Sequence, residues 1–204
     1  MEQRPVLVWF RQDLRIHDNE ALTTAIASGQ PVIPVYVFDD RVFNGTTRFG
    51  FRKTGPFRSK FILESVENLK LNLQKLGADL ILRTGKPEEE IFKLVQEIQA
   101  SSVYCNRERT DEEVKVQDEL ERKLWSLGIE IQYFRGKMLF HTGDLPFPVM
   151  QTPDIFTHFR KEVEKYVPVR PPISSPSSIP YSAVIEDVGS LPDLKEWGFE
   201  ETIK

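Results

Sequence analysis

Short apolar runs alternate with amphipathic helical segments over the first two thirds of the chain, and this alternation is what most constrains the fold. The runs are rich in Val, Ile and aromatic residues, which is typical of buried strands. The predicted strands are residues 6–10, 31–38, 78–85, 102–106 and 129–136. The predicted helices between them are residues 20–28, 56–76, 86–100 and 110–128. Five strands joined by four helices predict an α/β fold: a doubly wound, Rossmann-like, five-stranded parallel sheet with helices on both faces. The fifth run alternates apolar and polar residues, which suggests an edge strand.

The rest of the chain is organised less regularly. We assign residues 1–136 to the α/β core, and residues 137–167 to a loop and a short helix that complete the domain. Residues 168–204 are rich in Pro and Ser and predict an extended C-terminal linker or tail with little to bury, ending in a weakly apolar patch around Trp197.

Charge and cysteine content narrow the possible environments and partners. The 204 residues carry a formal net charge of −4, so overall electrostatic attraction does not favour binding to nucleic acid or to an anionic membrane. The single cysteine, Cys105, cannot form an internal disulfide and fits a reducing compartment. No apolar stretch approaches the length of a membrane helix, and the N-terminus lacks a signal-peptide layout. We therefore expect a cytoplasmic protein without membrane contact.

The sequence lacks the common motifs of catalysis. There is no GxGxxG after the first strand, no GxxxxGK[ST] and no GxSxG. His17, His141 and His158 are scattered without metal-ligand spacing. We therefore predict no catalytic residue and no metal site.

The first strand ends in alternating charge, at the carboxyl end of the sheet where open parallel sheets bind ligands. Arg11, Asp13 and Arg15 follow the apolar run 6–10 directly. They suit either an anionic ligand or a charge-paired network that fixes the strand end, and the network is the simpler interpretation. Asn19 or Asp18 then caps the first helix.

Glu108 is the acidic residue best placed to contact a ligand after the fourth strand. Asp111, Glu112 and Glu113 fall in the first turn of the next helix, where the helix dipole already favours negative charge. Glu108 lies before that turn and could accept paired N–H bonds from a guanidine-like heterocycle edge. Alternatively, it pairs with a neighbouring arginine at the surface.

The connection of residues 39–55 is unusually long for a βα unit, which makes it a functional candidate. Its FGFRKTG segment, residues 49–55, combines two phenylalanines with two basic residues. Such a loop suits stacking on a flat ring or a nucleic-acid contact. Alternatively, Phe49 and Phe51 are tucked under the loop as a small satellite core.

Several segments together resemble the photolyase and cryptochrome family. WFRQDLRIHDNEAL (9–22) resembles its N-terminal signature, and VYVFDDRVFNG, FGFRKTGPFR and RTGKPEEEI continue the resemblance. DLPFPVMQTPDIFTHFRKEVE (144–164) resembles the DASH cryptochromes in particular. The resemblance extends from about residue 4 to residue 175 without large gaps.

This resemblance implies an N-terminal antenna-type domain. Family members bind a light-harvesting chromophore, commonly methenyltetrahydrofolate, beside a larger helical domain that holds FAD and, in repairing members, the damaged DNA. The resemblance covers only the first part of such proteins, so we expect no FAD on this chain, no dimer repair by it alone, and DNA contact only indirectly. It implies a helical FAD-binding partner, in the same chain or another. The residues that match the antenna pocket or its rim are Glu108, Phe10, Arg11, Phe38, Phe51, Lys53 and Gly55.

Two other interpretations of the chain are possible. The chain could be a stand-alone binding or regulatory module that has lost the chromophore, or a fragment of a complete DNA photolyase. In the family the antenna pocket lies between two domains, so this chain would supply one wall of it.

Overall fold

A computed structural model describes residues 3–182 and 185–199 of the chain. It contains one parallel sheet with the strand order β3-β2-β1-β4-β5. The strands are β1 (Val6–Phe10), β2 (Val32–Asp39), β3 (Ile81–Gly85), β4 (Ser102–Asn106) and β5 (Glu130–Phe134). The helices are α1 (Glu20–Ala27), α2 (Asp40–Phe43), α3 (Pro56–Lys75), α4 (Pro87–Glu97), α5 (Asp111–Trp125) and α6 (Phe156–Tyr166). The predicted doubly wound five-stranded sheet is confirmed, and so is the edge position of the fifth strand.

Two apolar cores lie on opposite faces of the sheet. On one face Val6, Val8 and Phe10 of β1 pack with the apolar residues of α1 and α3. On the other face Leu7 and Trp9 pack with those of α4 and α5. Because β1 is central and covered on both faces, its residues must all be apolar, which explains the unbroken apolar run.

The connection after β2 differs from its prediction as a continuous loop. Asp39 caps a four-residue helix, α2, by accepting a hydrogen bond from the Arg41 N–H at 2.9 Å. Asp39 also accepts from the Arg41 guanidinium, which in turn binds the buried Glu88 at the start of α4 through two 2.8 Å hydrogen bonds. These contacts raise the pKa of Arg41, chiefly through the hydrogen bond to Asp39. The exit of β2 is thereby tied to the start of α4.

The C-terminal segment is extended, as predicted, but the expectation that it buries little is wrong. Ile179, Ile185 and Trp197 are each less than 10% exposed. Trp197 stacks on Phe43 with ring centroids 4.1 Å apart. The apolar residues of this segment follow neither a helix nor a strand period, so the sequence does not reveal their burial, and only the packed domain supplies their pockets.

Backbone contacts fasten the same segment to the domain. The Asp18 N–H donates to the Ile173 carbonyl at 2.8 Å, and the Leu82 N–H donates to the Val188 carbonyl at 2.8 Å. At Gly189 (φ +74°) a Cβ atom would lie 2.1 Å from the Leu82 carbonyl oxygen, so only glycine allows this approach to the edge of β3.

Within the described ranges, no helix combines the length and apolar character needed to cross a bilayer.

We predict that Trp197→Ala lowers the free energy of unfolding by about 3–5 kcal/mol, because it empties a buried aromatic site. Urea unfolding followed by circular dichroism would measure this change. Trp125→Ala is the matched control, since Trp125 is 83% exposed and its loss should change stability by no more than about 0.5 kcal/mol. Equal stability of the two variants would show that the C-terminal segment contributes nothing to folding.

A second prediction concerns Cys105, which is fully buried in β4. Burial raises the pKa of its thiol to about 12, so the reactive thiolate is suppressed at neutral pH. We expect an aromatic disulfide reagent to modify Cys105 at neutral pH only as fast as the protein unfolds, and rapidly in denaturant. Rapid modification of the folded chain would contradict the burial.

Candidate functional site

The carboxyl ends of the strands are held together by a buried carboxylate, Asp13. Its Oδ1 atom accepts a hydrogen bond from the Arg11 N–H at 2.9 Å. Its Oδ2 atom accepts from Nδ2 of Asn106 at 2.5 Å and from Nδ2 of Asn19 at 3.1 Å. Asn106 ends β4, while Asn19 caps α1 by accepting from the Leu22 N–H. One carboxylate therefore joins the exit of β1, the start of α1 and the end of β4.

Arg11 is equally enclosed by protein partners. Its guanidinium lies 4.4 Å from the Trp9 ring centroid, donates to Oε1 of Gln117 at 2.5 Å, and pairs with the Glu113 carboxylate. Of the two interpretations of these charges, the structure supports the internal network rather than direct anion binding by Arg11.

Gln117 of α5 fixes the loop that carries Glu108. Its side-chain oxygen accepts from the Glu108 N–H at 2.7 Å, and its amide group donates to the Glu108 carbonyl at 3.3 Å. The same oxygen accepts from Arg11, so the exits of β1 and β4 share one amide. Gln117 therefore fixes the Glu108 backbone through both its N–H and its carbonyl group.

The Glu108 side chain is buried, with one oxygen satisfied and the other not. Its carboxylate is 6% exposed and pairs through Oε2 with Lys137, which follows β5. Its Oε1 atom is buried without a hydrogen-bond partner in the described chain. The alternative that Glu108 forms a surface pair with a neighbouring arginine is wrong.

Glu108 lies at the wall of a cleft of about 250 Å³ between the exits of β4 and β5. Its lining is rich in cations around this single carboxylate. The lining residues are Arg107, Glu108, Arg109, Thr110, Arg135, Lys137, Met138, His141 and Thr142. The cleft can thus bind a group that offers hydrogen-bond donors to Glu108 and negative charge to the rim.

The other predicted site residues lie elsewhere. Phe10 and Phe38 are completely buried in the core, and Phe38 packs against Trp197. Phe51 is 72% exposed, and Gly55 is the N-cap residue of α3. Lys53 pairs with Glu112 at 2.7 Å and lines a second cleft of about 230 Å³.

The structure therefore does not bring the predicted residues into one pocket. The first turn of α5 separates the two clefts, because Thr110 lines the Glu108 cleft whereas Glu112 and Glu113 line the Lys53 cleft.

The two phenylalanines of the FGFRKTG loop face solvent. Phe49 is 69% exposed and Phe51 is 72% exposed, so the alternative that they form a satellite core is wrong. Thr46 and Arg52 form an isolated antiparallel bridge across the loop.

Sequence reasoning missed Lys137 and Gln117. Gln117 could have been noticed as a polar residue on the buried stripe of α5, next to Val116 and Leu120. Lys137 could not, because its approach to Glu108 depends on β5 lying beside β4 in the sheet order.

Comparisons with known proteins agree with this geometry. The family model described as DNA photolyase matches residues 6–177. Cryptochrome DASH of Gloeobacter violaceus is 42% identical over 203 residues, which cover 100% of this chain and 40% of that protein. Blue-light photoreceptor PHR2 of Arabidopsis thaliana is 40% identical over 203 residues, covering 98% of this chain and 45% of that protein.

Solved structures give the same result. A cryptochrome of Synechocystis superposes with a TM-score of 0.85 at 45% identity, covering 87% of this chain and 37% of that chain. A class III photolyase of Agrobacterium tumefaciens superposes with a TM-score of 0.78 at 27% identity, covering 97% of this chain and 39% of that chain. This chain spans about two fifths of the length of the curated relatives described above. The chain belongs to the DNA photolyase family, as an N-terminal α/β domain of the DASH cryptochrome type.

Proposed function

We propose that this domain binds a folate-type antenna chromophore, such as methenyltetrahydrofolate, in the Glu108 cleft and docks an FAD-bearing helical domain. The single observation that carries the proposal is the buried, unpartnered Oε1 atom of Glu108. A buried acceptor without a hydrogen bond carries a desolvation penalty of about 1–3 kcal/mol, and more when it is charged. A ligand with paired N–H donors removes that penalty.

The cleft is compatible with part of a folate rather than all of it. Its volume of about 250 Å³ lies below the roughly 300–1,000 Å³ of sites that enclose a drug-sized ligand. The flat ring can occupy the cleft while the remainder lies across the rim. The carboxylates at the far end of a folate complement the rim cations, Arg109 and Arg135 among them.

The tasks of this chain's own residues are binding and orientation. Glu108 accepts the ring's N–H donors, Lys137 compensates the buried negative charge, and Gln117 keeps the loop in place. When bound, the chromophore supplies light absorption and through-space transfer of excitation energy. We assign no bond-making step to this chain alone.

Exposed apolar side chains support the docking part of the proposal. Met138, Leu139 and Val169 line one groove of about 520 Å³, and each is more than half exposed. Met150 is 96% exposed and Phe156, the first residue of α6, is 72% exposed. Exposed apolar side chains that gather along a groove, as Met138, Leu139 and Val169 do, are typical of interaction surfaces. The relatives' additional length, about three fifths of each protein, is a source of the partner that covers it.

We predict that methenyltetrahydrofolate titrated into the protein gains a shifted near-ultraviolet band, and that Glu108→Gln weakens binding about tenfold to a hundredfold. The loss corresponds to the roughly 1.5–3 kcal/mol of a hydrogen bond to a charged group. Absorbance and equilibrium dialysis measure both effects.

The exposed Glu97→Gln of α4 is the matched control and should bind like the parent. Unchanged affinity in Glu108→Gln would remove Glu108 from the site. No binding by the parent protein would favour the stand-alone regulatory module instead.

The docking proposal predicts the behaviour of a chimaera. In it, this chain replaces the matching part of Cryptochrome DASH of Gloeobacter violaceus, to which it is 42% identical. The chimaera should retain flavin, and Met150→Asp with Phe156→Asp should lower its flavin content and protease resistance several-fold, because charges would be buried at the docking face. Leu71→Asp is the control, since Leu71 is 51% exposed on α3. Equal flavin content in all three proteins would show that α6 does not face the helical domain.

A further inference from the structure

Helix α3 carries two stripes of residues on opposite sides. The inner stripe is buried in the domain and consists of Ser59, Ile62, Val66, Leu69 and Leu73. The outer stripe recurs at alternating steps of four and three residues, and every member of it is exposed. Its members are Phe57, Phe61, Glu64, Asn68, Leu71 and Lys75. Alternating steps of four and three average about 3.5 residues, which is the spacing of side chains that face a second helix.

Three large apolar side chains of the outer stripe lie in water. Phe57 is 72% exposed, Phe61 is 69% exposed and Leu71 is 51% exposed. Phe57 and Phe61 are one helical turn apart, so their rings are neighbours on the helix surface. Because the inner stripe already packs α3 onto the sheet, the outer stripe has no role in the core of a single copy. Apolar residues gathered on one helix face are typical of an interaction surface.

The middle of the outer stripe is polar and has unused hydrogen-bonding capacity. The Asn68 side-chain oxygen accepts from Nδ2 of Asn72 at 2.9 Å, whereas its own Nδ2 group has no acceptor within the described ranges. The Glu64 carboxylate lies 4.0 Å from Lys60, at the outer limit of an ion pair. The stripe thus offers one unused donor and one weakly engaged acceptor, a single helical turn apart.

A second α3 helix in antiparallel orientation complements this order of residues. With a two-fold axis through the middle of the stripe, Glu64 of each copy faces Asn68 of the other. The free amide donor of Asn68 then meets a carboxylate acceptor at two symmetric places. On either side of this polar centre, Phe61 of one copy packs against Leu71 of the other.

The ends of the stripe favour the antiparallel over the parallel arrangement. In the antiparallel pair, the Phe57 ring lies against the aliphatic stem and ammonium group of Lys75. In a parallel pair, Glu64 would face Glu64 and Lys75 would face Lys75, and both contacts are repulsive.

Other occupants fit the outer stripe less well. The stripe carries one carboxylate and one ammonium group, so it has no net attraction for a polyanion or an anionic membrane. The groove to which the proposed function assigns the helical domain is lined by Met138, Leu139 and Val169 among others, and by no residue of α3.

We propose that the outer stripe of α3 is a self-association surface, through which two copies of this chain pair with their α3 helices antiparallel. A pair of single helices is a small interface compared with the roughly 1,200–2,000 Å² of stable complexes, so the dimer is weak and forms at high concentration. The carboxylates of Glu64 and Glu67 from both copies lie near the axis and limit the affinity further. The inference does not depend on the chromophore proposal.

Sedimentation velocity of the whole chain, from micromolar to millimolar concentration, should show a monomer–dimer equilibrium. Phe61→Ser should weaken the dimer at least about tenfold, because each dimer loses the Phe61 contact twice. Trp125→Ser is the matched control and should dimerise like the parent. Trp125 is also an exposed aromatic residue, at 83%, but it ends α5, which packs on the other face of the sheet.

A charge exchange tests the antiparallel register. Asn68→Asp sets a second carboxylate against Glu64 at two places and should weaken the dimer about threefold to tenfold. Glu64→Lys combined with Asn68→Asp turns both repulsions into ion pairs and should restore the dimer. Circular dichroism verifies that each variant is folded, as expected for substitutions on the solvent face of α3.

Four outcomes would contradict the proposal. They are a parent protein that stays monomeric at every concentration, unchanged dimerisation of Phe61→Ser, loss of the dimer in Trp125→Ser, and a double variant no stronger than Asn68→Asp alone. Loss of the dimer in Trp125→Ser would place the interface beside β5 instead.

Discussion

The buried carboxylate of Asp13 is the contact on which the geometry of the sheet's carboxyl edge depends. A charge in the core is unfavourable unless hydrogen bonds replace its water, and Asp13 has three, from Arg11, Asn19 and Asn106. Those donors belong to the exit of β1, the cap of α1 and the end of β4. Asn106 also accepts a hydrogen bond from the Gly136 N–H beyond β5. The strands that form the candidate site are therefore aligned by one polar cluster rather than by apolar packing alone.

This cluster connects the core to the candidate site through Gln117. The Gln117 amide oxygen accepts from both Arg11 and Glu108, so the position of the Glu108 loop follows from the network around Asp13. Rigid support of this kind would serve the proposed chromophore site, because energy transfer depends on distance and orientation. It also explains why Arg11, although it matches a pocket segment of the family, acts here behind the cleft.

Much of the fold could be predicted because each element satisfies its own local requirements. The unbroken apolar run of β1 requires cover on both faces, and the capping residue Asn19 and the early prolines Pro56 and Pro87 mark the starts of helices. Glu108 could be singled out in the same way, since its neighbours Asp111 and Glu112 were explained by the helix dipole. The burial of the C-terminal segment could not be predicted, because apolar residues such as Ile179 and Trp197 follow no helix or strand period there and are buried only in the finished domain.

The amino-acid sequence by itself determined the layered α/β architecture and the edge position of the fifth strand, and it singled out Glu108 as a candidate ligand contact. Only the tertiary structure decided that Lys137 faces Glu108 and that Lys53 belongs to a different cleft. The physical reason is the range of the interactions. Strand and helix preferences depend on neighbours within a few residues, whereas these pairings depend on which strands become adjacent in the sheet.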